Sequence, residues 1–177
     1  AVAPGDNTQI VDGNAPTFVS AYIVADGASL YSTPLSSANL SVGEKVRLVL
    51  RFDEPEYPAV LGFLTKSIGT KVTLNNGGEV TLNTYTSGMG DLLLGGTYTV
   101  GAGDASVPEL KLAATGALTG DIFDQAGNAI DASALNGASL ANASPIVVDT
   151  VDPTVTVDVV DTQFNDTDTM SAVTFSF

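Results

Sequence analysis

The chain has 177 residues with 20 acidic and 6 basic side chains, a formal net charge of −14, and neither histidine nor cysteine. That composition excludes an imidazole base, a thiolate nucleophile, a disulfide framework and a typical zinc site, and it argues against nucleic acid and anionic membrane surfaces, which require clustered Lys and Arg. Hydrophobic residues make up 44%, enough for one ordinary core of ~100–150 residues, while no apolar stretch reaches the length of a membrane span.

In chain order, the sequence opens Ala1-Val2-Ala3-Pro4 without an initiating Met or a basic-then-apolar leader, so any export signal is expected outside it. Val11-Asp12-Gly13-Asn14-Ala15-Pro16-Thr17 leads into a β-branched and aromatic run, Phe18 to Val24, that predicts a strand. A long segment, Ala25 to Gly43, separates it from the next good strand. Lys45 to Phe52 alternates: Val46, Leu48, Leu50 and Phe52 are expected on a core face, and Lys45, Arg47 and Arg51 in water, with Val49 the exception. Glu56 to Gly69 is more apolar than a plain connection requires. Lys71 to Leu82 reads as a β-hairpin with a tight turn at Asn76-Gly77 and with Val72, Leu74, Val80 and Leu82 on one face. Further strands are expected at Gly96–Val100, Leu110–Ala114 and Ile146–Val148, and no long helix-forming run interrupts them. Short strands separated by Gly, Asn, Asp and Pro turns predict an all-β, antiparallel two-sheet sandwich.

The opening phrase then returns. Val148-Asp149-Thr150-Val151-Asp152-Pro153-Thr154 repeats V-D-x-x-x-P-T at an offset of 137 and leads into a second strand-like run, Val155 to Val160. A fixed-period repeat signals an array of like modules. It divides the chain into an N-terminal segment at 1–13, a module at 14–150 and the start of a second, truncated module at 151–177. Val173-Thr174-Phe175-Ser176-Phe177 matches Leu48 to Phe52 in pattern, and the sequence stops where a counterpart of Asp53-Glu54 is due. Two strands alone do not make a stable sandwich. The tail is therefore expected to be a cut module, or to pair with another chain through an unpaired apolar strand.

The ordered set of V-D-x-x-x-P-T, Phe52-Asp53-Glu54-Pro55, Leu74-Asn75-Asn76-Gly77-Gly78, Tyr98-Thr99-Val100-Gly101-Ala102-Gly103-Asp104, Ile122-Phe123-Asp124-Gln125-Ala126-Gly127-Asn128-Ala129 and Val148-Asp149-Thr150 carries a resemblance. It resembles the tandem bacterial Ig-like repeats of giant secreted surface adhesins, the RTX and biofilm-associated type exported by type I secretion. The likeness covers about residues 11–150 and, more weakly, 151–177. It implies an Ig-like sandwich that serves as an extender at the bacterial cell surface, next to neighbouring modules of the same chain and often stiffened by calcium at the junctions.

In such a sandwich the loop after the second strand lies at the end where the first strand starts. Asp53, Glu54 and Glu56 are then expected near Asp12 and Asn14, with Asp121, Asp124 and the carbonyls around Gly127-Asn128 reaching the same end. Asp149 and Asp152 would serve the opposite junction together with acids of the next module. Calcium takes six to eight oxygens, which such a collection could supply. The same Asp and Asn residues also suit strand ends and Asx turns, and the two readings stand side by side. No EF-hand pattern occurs.

Catalysis has little to draw on. A carboxylate pair from Asp53, Glu54 or Glu56 is formally possible, but adjacent acids on an exposed loop are more often solvated or metal-bound, and no enzyme is expected. Gly95-Gly96 and Gly101-Ala102-Gly103 lack the strand-to-helix context of a phosphate loop. Arg47 and Arg51 could grip a carboxylate ligand or pair with acids on a neighbouring strand. Asn39, Asn142 and Asn165 begin formal glycosylation sequons. The leading expectation is a non-catalytic, secreted extender module with Ca²⁺ at its junctions. The alternatives are a glycan-, peptide- or self-recognising adhesion module built on Ala25–Gly43 or Glu56–Gly69, and an accessory domain of an extracellular hydrolase.

Overall fold

A computed structural model describes residues 13–53, 69–88, 91–123, 127–159 and 173–176. Its strands are β1 (Thr17–Ala25), β2 (Ala38–Leu40), β3 (Lys45–Asp53), β4 (Lys71–Thr73), β5 (Glu79–Thr81) and β6 (Thr84–Gly88). They continue with β7 (Asp91–Thr99), β8 (Leu118–Thr119), β9 (Ile146–Val148), β10 (Thr156–Val159) and β11 (Val173–Ser176).

One sheet has the order β1-β3-β7-β6, antiparallel throughout. This is the order of the ABED sheet in immunoglobulin-type sandwiches. The facing layer joins β5-β4-β8 to the parallel pair β2-β9, with residues 107–112 between them through bridges at Val107↔Val148 and Leu74↔Leu112. The inner faces meet in a single main core. Ile23, Leu48, Leu50, Phe52, Leu92, Leu94 and Tyr98 come from the first sheet, and Val72, Leu74, Val80, Leu110, Leu112 and Ile146 from the second. Burying each such aliphatic or aromatic side chain contributes about 1.5–3 kcal/mol, so the fold is an all-β sandwich held by this interface.

The predicted alternation of β3 holds: Val46, Leu48, Leu50 and Phe52 are all buried. Val49, the exception in sequence, is fully buried on the opposite face. There it packs with Val24, Leu93 and Leu30 in a second cluster. Leu30 belongs to the long segment before β2, which lies as a strap over the outer face. The strap is fastened by Tyr22 Oη donating to Leu30 O at 2.8 Å, Arg47 Nη1 to Ala28 O at 2.6 Å, and Leu35 N to Ile23 O at 2.9 Å. Arg47 is thus half-buried beneath the strap rather than facing open water.

The Lys71–Leu82 hairpin forms with all four predicted apolar residues buried. Its turn is one residue longer than a two-residue Asn-Gly turn. Gly77 N bonds Leu74 O at 3.1 Å and Leu74 N bonds Gly78 O at 2.8 Å, leaving Asn75, Asn76 and Gly77 as the loop with Gly77 at φ 89°. This is a type I turn closed by a left-handed glycine. Leu110–Ala114 does not form the regular strand expected of it. The Asn75 side chain accepts the Lys111 N–H at 2.9 Å in place of a backbone carbonyl, and Lys111 bridges Ser139 on its other side. A 3₁₀ turn at Ala132–Leu135, not foreseen in sequence, is capped by the Asp131 carboxylate, which accepts from Ser133 N and Oγ.

β7 starts at Asp91, five residues before the expected strand, and contains the pair Gly95-Gly96. A Cβ on Gly96 would lie 2.2 Å from Thr81 O and 2.7 Å from Val80 Cγ1, and one on Gly95 would lie 2.4 Å from Leu30 Cδ2. The two glycines therefore let β7 accept the passing β5 backbone on one face and the strap on the other.

β10 and β11 pair antiparallel from Thr156↔Ser176 to Val159↔Val173. With the repeat offsets removed, 137 for β10 and 125 for β11, Thr156↔Ser176 falls on Val19 opposite Arg51. β1 and β3 themselves pair Ser20↔Arg51 after a register shift between Phe18 and Ser20, so the second pairing is antiparallel like the first but one residue out of its register there. In both copies the phrase leads into an antiparallel strand pair.

Because the nearest obstacle at Gly96 is backbone, Gly96→Ala is expected to destabilise the fold by about 1–3 kcal/mol in urea denaturation followed by circular dichroism. Gly103→Ala, whose Cβ meets nothing within 4 Å, is the control and should stay within about 0.5 kcal/mol.

Candidate functional site: the two poles of the sandwich

Strand directions sort the predicted residues to opposite ends. β1 leaves one pole at Thr17, and the antiparallel β3 returns there, so Asp53 stands opposite Thr17 and, on its other side, opposite Asp91. The Phe123↔Ala129 bridge brings Asn128 to the same pole, where its Nδ2 donates to Asn14 O at 3.1 Å. Asn128 thus meets Asn14, and Asp53 ends its strand at the same pole opposite Thr17. Asp121 sits further along, its carbonyl accepting from Thr70 Oγ1 at 3.2 Å. Asp12, Glu54, Glu56 and Asp124 lie outside the described residues. Among the described residues no group of three carboxylates is close enough to hold a metal ion. Asn14 and Asp53 alone fall short of the six to eight oxygens calcium takes.

Like charges opposite one another on paired strands repel, and Asp53 faces Asp91. Arg51 relieves this by donating from Nε to Asp91 Oδ1 at 2.9 Å. The pair is partly exposed and contributes about 0–1 kcal/mol. Both arginines that could have gripped a ligand are thus engaged, Arg51 by an acid on the neighbouring strand and Arg47 by the strap.

At the other pole β9 runs out beside β2, and Asp149 N donates to Leu40 O at 2.8 Å. Asp149 Oδ1 accepts from Val151 N at 3.0 Å, an Asx turn of the kind its residue type suits. Thr150 is fixed twice: its N–H donates to Ser106 Oγ at 2.9 Å and its hydroxyl to Asp104 O at 3.0 Å. Beyond it, Asp152 lines an open cleft of about 380 Å³ with Leu40, Val42, Asp149, Val151 and Pro153. Val151 is the most exposed large hydrophobic among the described residues, at 73%.

The feature hidden from sequence lies just inside this pole. Tyr98, fully buried, donates its hydroxyl to Asp104 Oδ2 at 2.6 Å and accepts from Asn76 Nδ2 at 2.6 Å. Asp104 Oδ2 also accepts from Gly101 N, and Asn76 Oδ1 from Gly78 N. The network ties the hairpin turn, the end of β7 and the following loop together, and through Asp104 O it reaches Thr150. In sequence Asn76 and Asp104 read only as turn residues. The one available signal was a tyrosine at an inward strand position followed six residues later by an acid. Burial, then the hydrogen bond to Asp104, pushes the Tyr98 phenol well above its ordinary value of 10.

Family models, curated protein sequences and solved structures all give no match to this chain.

A raised phenol pKa in the folded state means that the native chain keeps a proton the unfolded chain releases near pH 10. The Tyr98 contribution is then full below pH 10 and declines as the pH climbs above it. Tyr98→Phe is expected to cost about 1–3 kcal/mol at pH 7, because Asn76 and Asp104 lose a partner, and to flatten the fall in stability above pH 10. Denaturant midpoints measured from pH 7 to 11 check both.

Proposed function

We propose that this chain is a non-catalytic, extracellular extender module of a large bacterial surface adhesin, joined in series to like modules and stiffened by calcium at the junctions. The observation that carries this reading is the placement of the repeated phrase. Its first copy reaches the sandwich at the pole of Thr17 and Asp53, and its second leaves from the opposite pole at Asp149. A module that takes its chain in at one end and releases it at the other adds its full strand length to an array. The strap favours this reading over a ligand-binding surface, because Ala28 and Leu30 pack down on the sheet. Glu56–Gly69 lies largely outside the described residues.

In this account Asp12, Asn14, Asp53, Glu54 and Asp124 hold Ca²⁺ at the incoming pole, and Asp149 and Asp152 do so at the outgoing pole with acids of the next module. The ion supplies charge neutralisation and cross-linking. Of these residues Asp53 ends β3 and Asp149 directly follows β9, so the sheets fix the backbone at both. The net charge of −14 makes the benefit electrostatic: without the cation, the clustered carboxylates repel one another.

Ligand binding to the native state alone stabilises by about 2.7 kcal/mol at one hundred times Kd, which for a domain of this size raises Tm by roughly 5–10 °C. Adding 1 mM Ca²⁺ to chelator-treated protein should produce a shift of that order, reversed by EDTA. A midpoint unmoved by either would remove calcium from the account.

A further inference from the structure

The first and last segments of the sandwich are bound to each other in parallel. β2 pairs with β9 at Ala38↔Ile146, Asn39↔Val147 and Leu40↔Val148. One strand earlier, Ala21 forms a parallel bridge with Leu140, and Ala141 N donates to Ala21 O at 2.7 Å. Residue 142 then continues the ladder with a side chain. Asn142 Oδ1 accepts from Ile23 N at 3.0 Å, and Asn142 Nδ2 donates to Ile23 O at 3.0 Å and to Leu35 O at 2.8 Å. An Asn amide has two N–H donors and one carbonyl acceptor. Here both donor hydrogens and the acceptor are used, joining β1, the strap and the segment leading to β9 through one planar group.

We infer that this parallel seam is a shear clamp with Asn142 as its pin, so that the module resists load applied along the chain far better than load applied across it. When strands lie parallel and the pull enters at the start of one and leaves at the end of the other, every hydrogen bond between them stretches at once. When both ends are pulled from the same pole, the bonds break one after another. β1 starts at the incoming pole and β9 ends at the outgoing pole, which is the first case. The fixing of Thr150 to Ser106 and Asp104 passes the load into the body of the sandwich instead of into a free loop. The inference deepens the extender reading and rests on it for the direction of load alone.

The absence of cysteine permits two clean pairs of attachment points for single-molecule pulling on the full chain. Gly13→Cys with Val151→Cys loads the seam in shear, and Asp26→Cys with Val151→Cys peels it from one pole. At equal loading rate the first pair should rupture at roughly twice the force of the second or more. Asn142→Ala, and Asn142→Asp, which keeps the acceptor for Ile23 N–H but loses both donors, should each lower the shear force and leave the peeling force unchanged. If Asn142→Ala fails to fold, Asn142→Asp and the comparison of pulling directions in the otherwise unaltered chain still decide. Equal forces in the two directions, or an Asn142 effect of equal size in both, would overturn the clamp. Those outcomes are independent of calcium: an EDTA-insensitive melting midpoint counts against the metal-stiffened extender and leaves a measured force difference standing.

Discussion

The parallel hydrogen bonding of β1 and β2 to residues 140–148 is the constraint on which the rest of this molecule depends. In an antiparallel hairpin the chain returns to the end from which it started. In a parallel pair it has to cross the fold between the two strands, and it ends at the far pole. Once the first and last segments are paired this way, the second copy of the V-D-x-x-x-P-T phrase is carried to the opposite end of the sandwich from the first. The antiparallel pairs β1–β3 and β3–β7 then gather Asp53 and Asp91 at the incoming pole.

Two packing problems follow, and each has a local solution. β7 is crowded on both faces, and Gly95-Gly96 provides the room, at the loss of two side chains that would otherwise join the core. The outer face of the β1–β3–β7 sheet carries Val24, Val49 and Leu93, and the strap through Leu30 closes it. With these in place, the Tyr98–Asp104–Asn76 network closes the outgoing pole without stranding polar groups: the buried phenol and the buried Asn76 amide bond each other, and the phenol donates to the partly buried Asp104 carboxylate. A buried polar network of this kind is stabilising when complete and costly when broken, which links the stability of the outgoing pole to a single hydroxyl.

Sequence revealed the sandwich where period-two alternation is strong, as in β3 and in the Val72–Leu82 hairpin, and it placed Asn14, Asp53 and Asn128 at one end. Val49 broke the alternation of β3, and that exception was the trace of the strap. What stayed hidden depends on contacts between residues far apart in the chain. β2 is a three-residue strand in Ala38-Asn39-Leu40, too short to show a period, and its partner lies more than one hundred residues away. Asn142 read as the start of a sequon, yet its Nδ2 is occupied by Ile23 and Leu35 carbonyls. The hairpin turn is one residue longer than Asn-Gly alone suggests, because Asn-Gly serves both two-residue turns and the longer turn that ends in a left-handed glycine. The irregular Leu110–Ala114 segment follows from Asn75 substituting its side chain for a backbone acceptor, which no propensity reports.

Fluorescence resonance energy transfer can show whether the chain passes from one pole of the sandwich to the other. Donor and acceptor dyes on Gly13→Cys and Val151→Cys in the full, otherwise cysteine-free chain report the separation between the two phrases. A nine-residue strand such as β1 spans roughly 30 Å at ~3.3 Å per residue, so a chain that crosses from pole to pole should hold the dyes about 30 Å apart or more. A separation below about 15 Å would place both phrases at one pole and contradict the crossing.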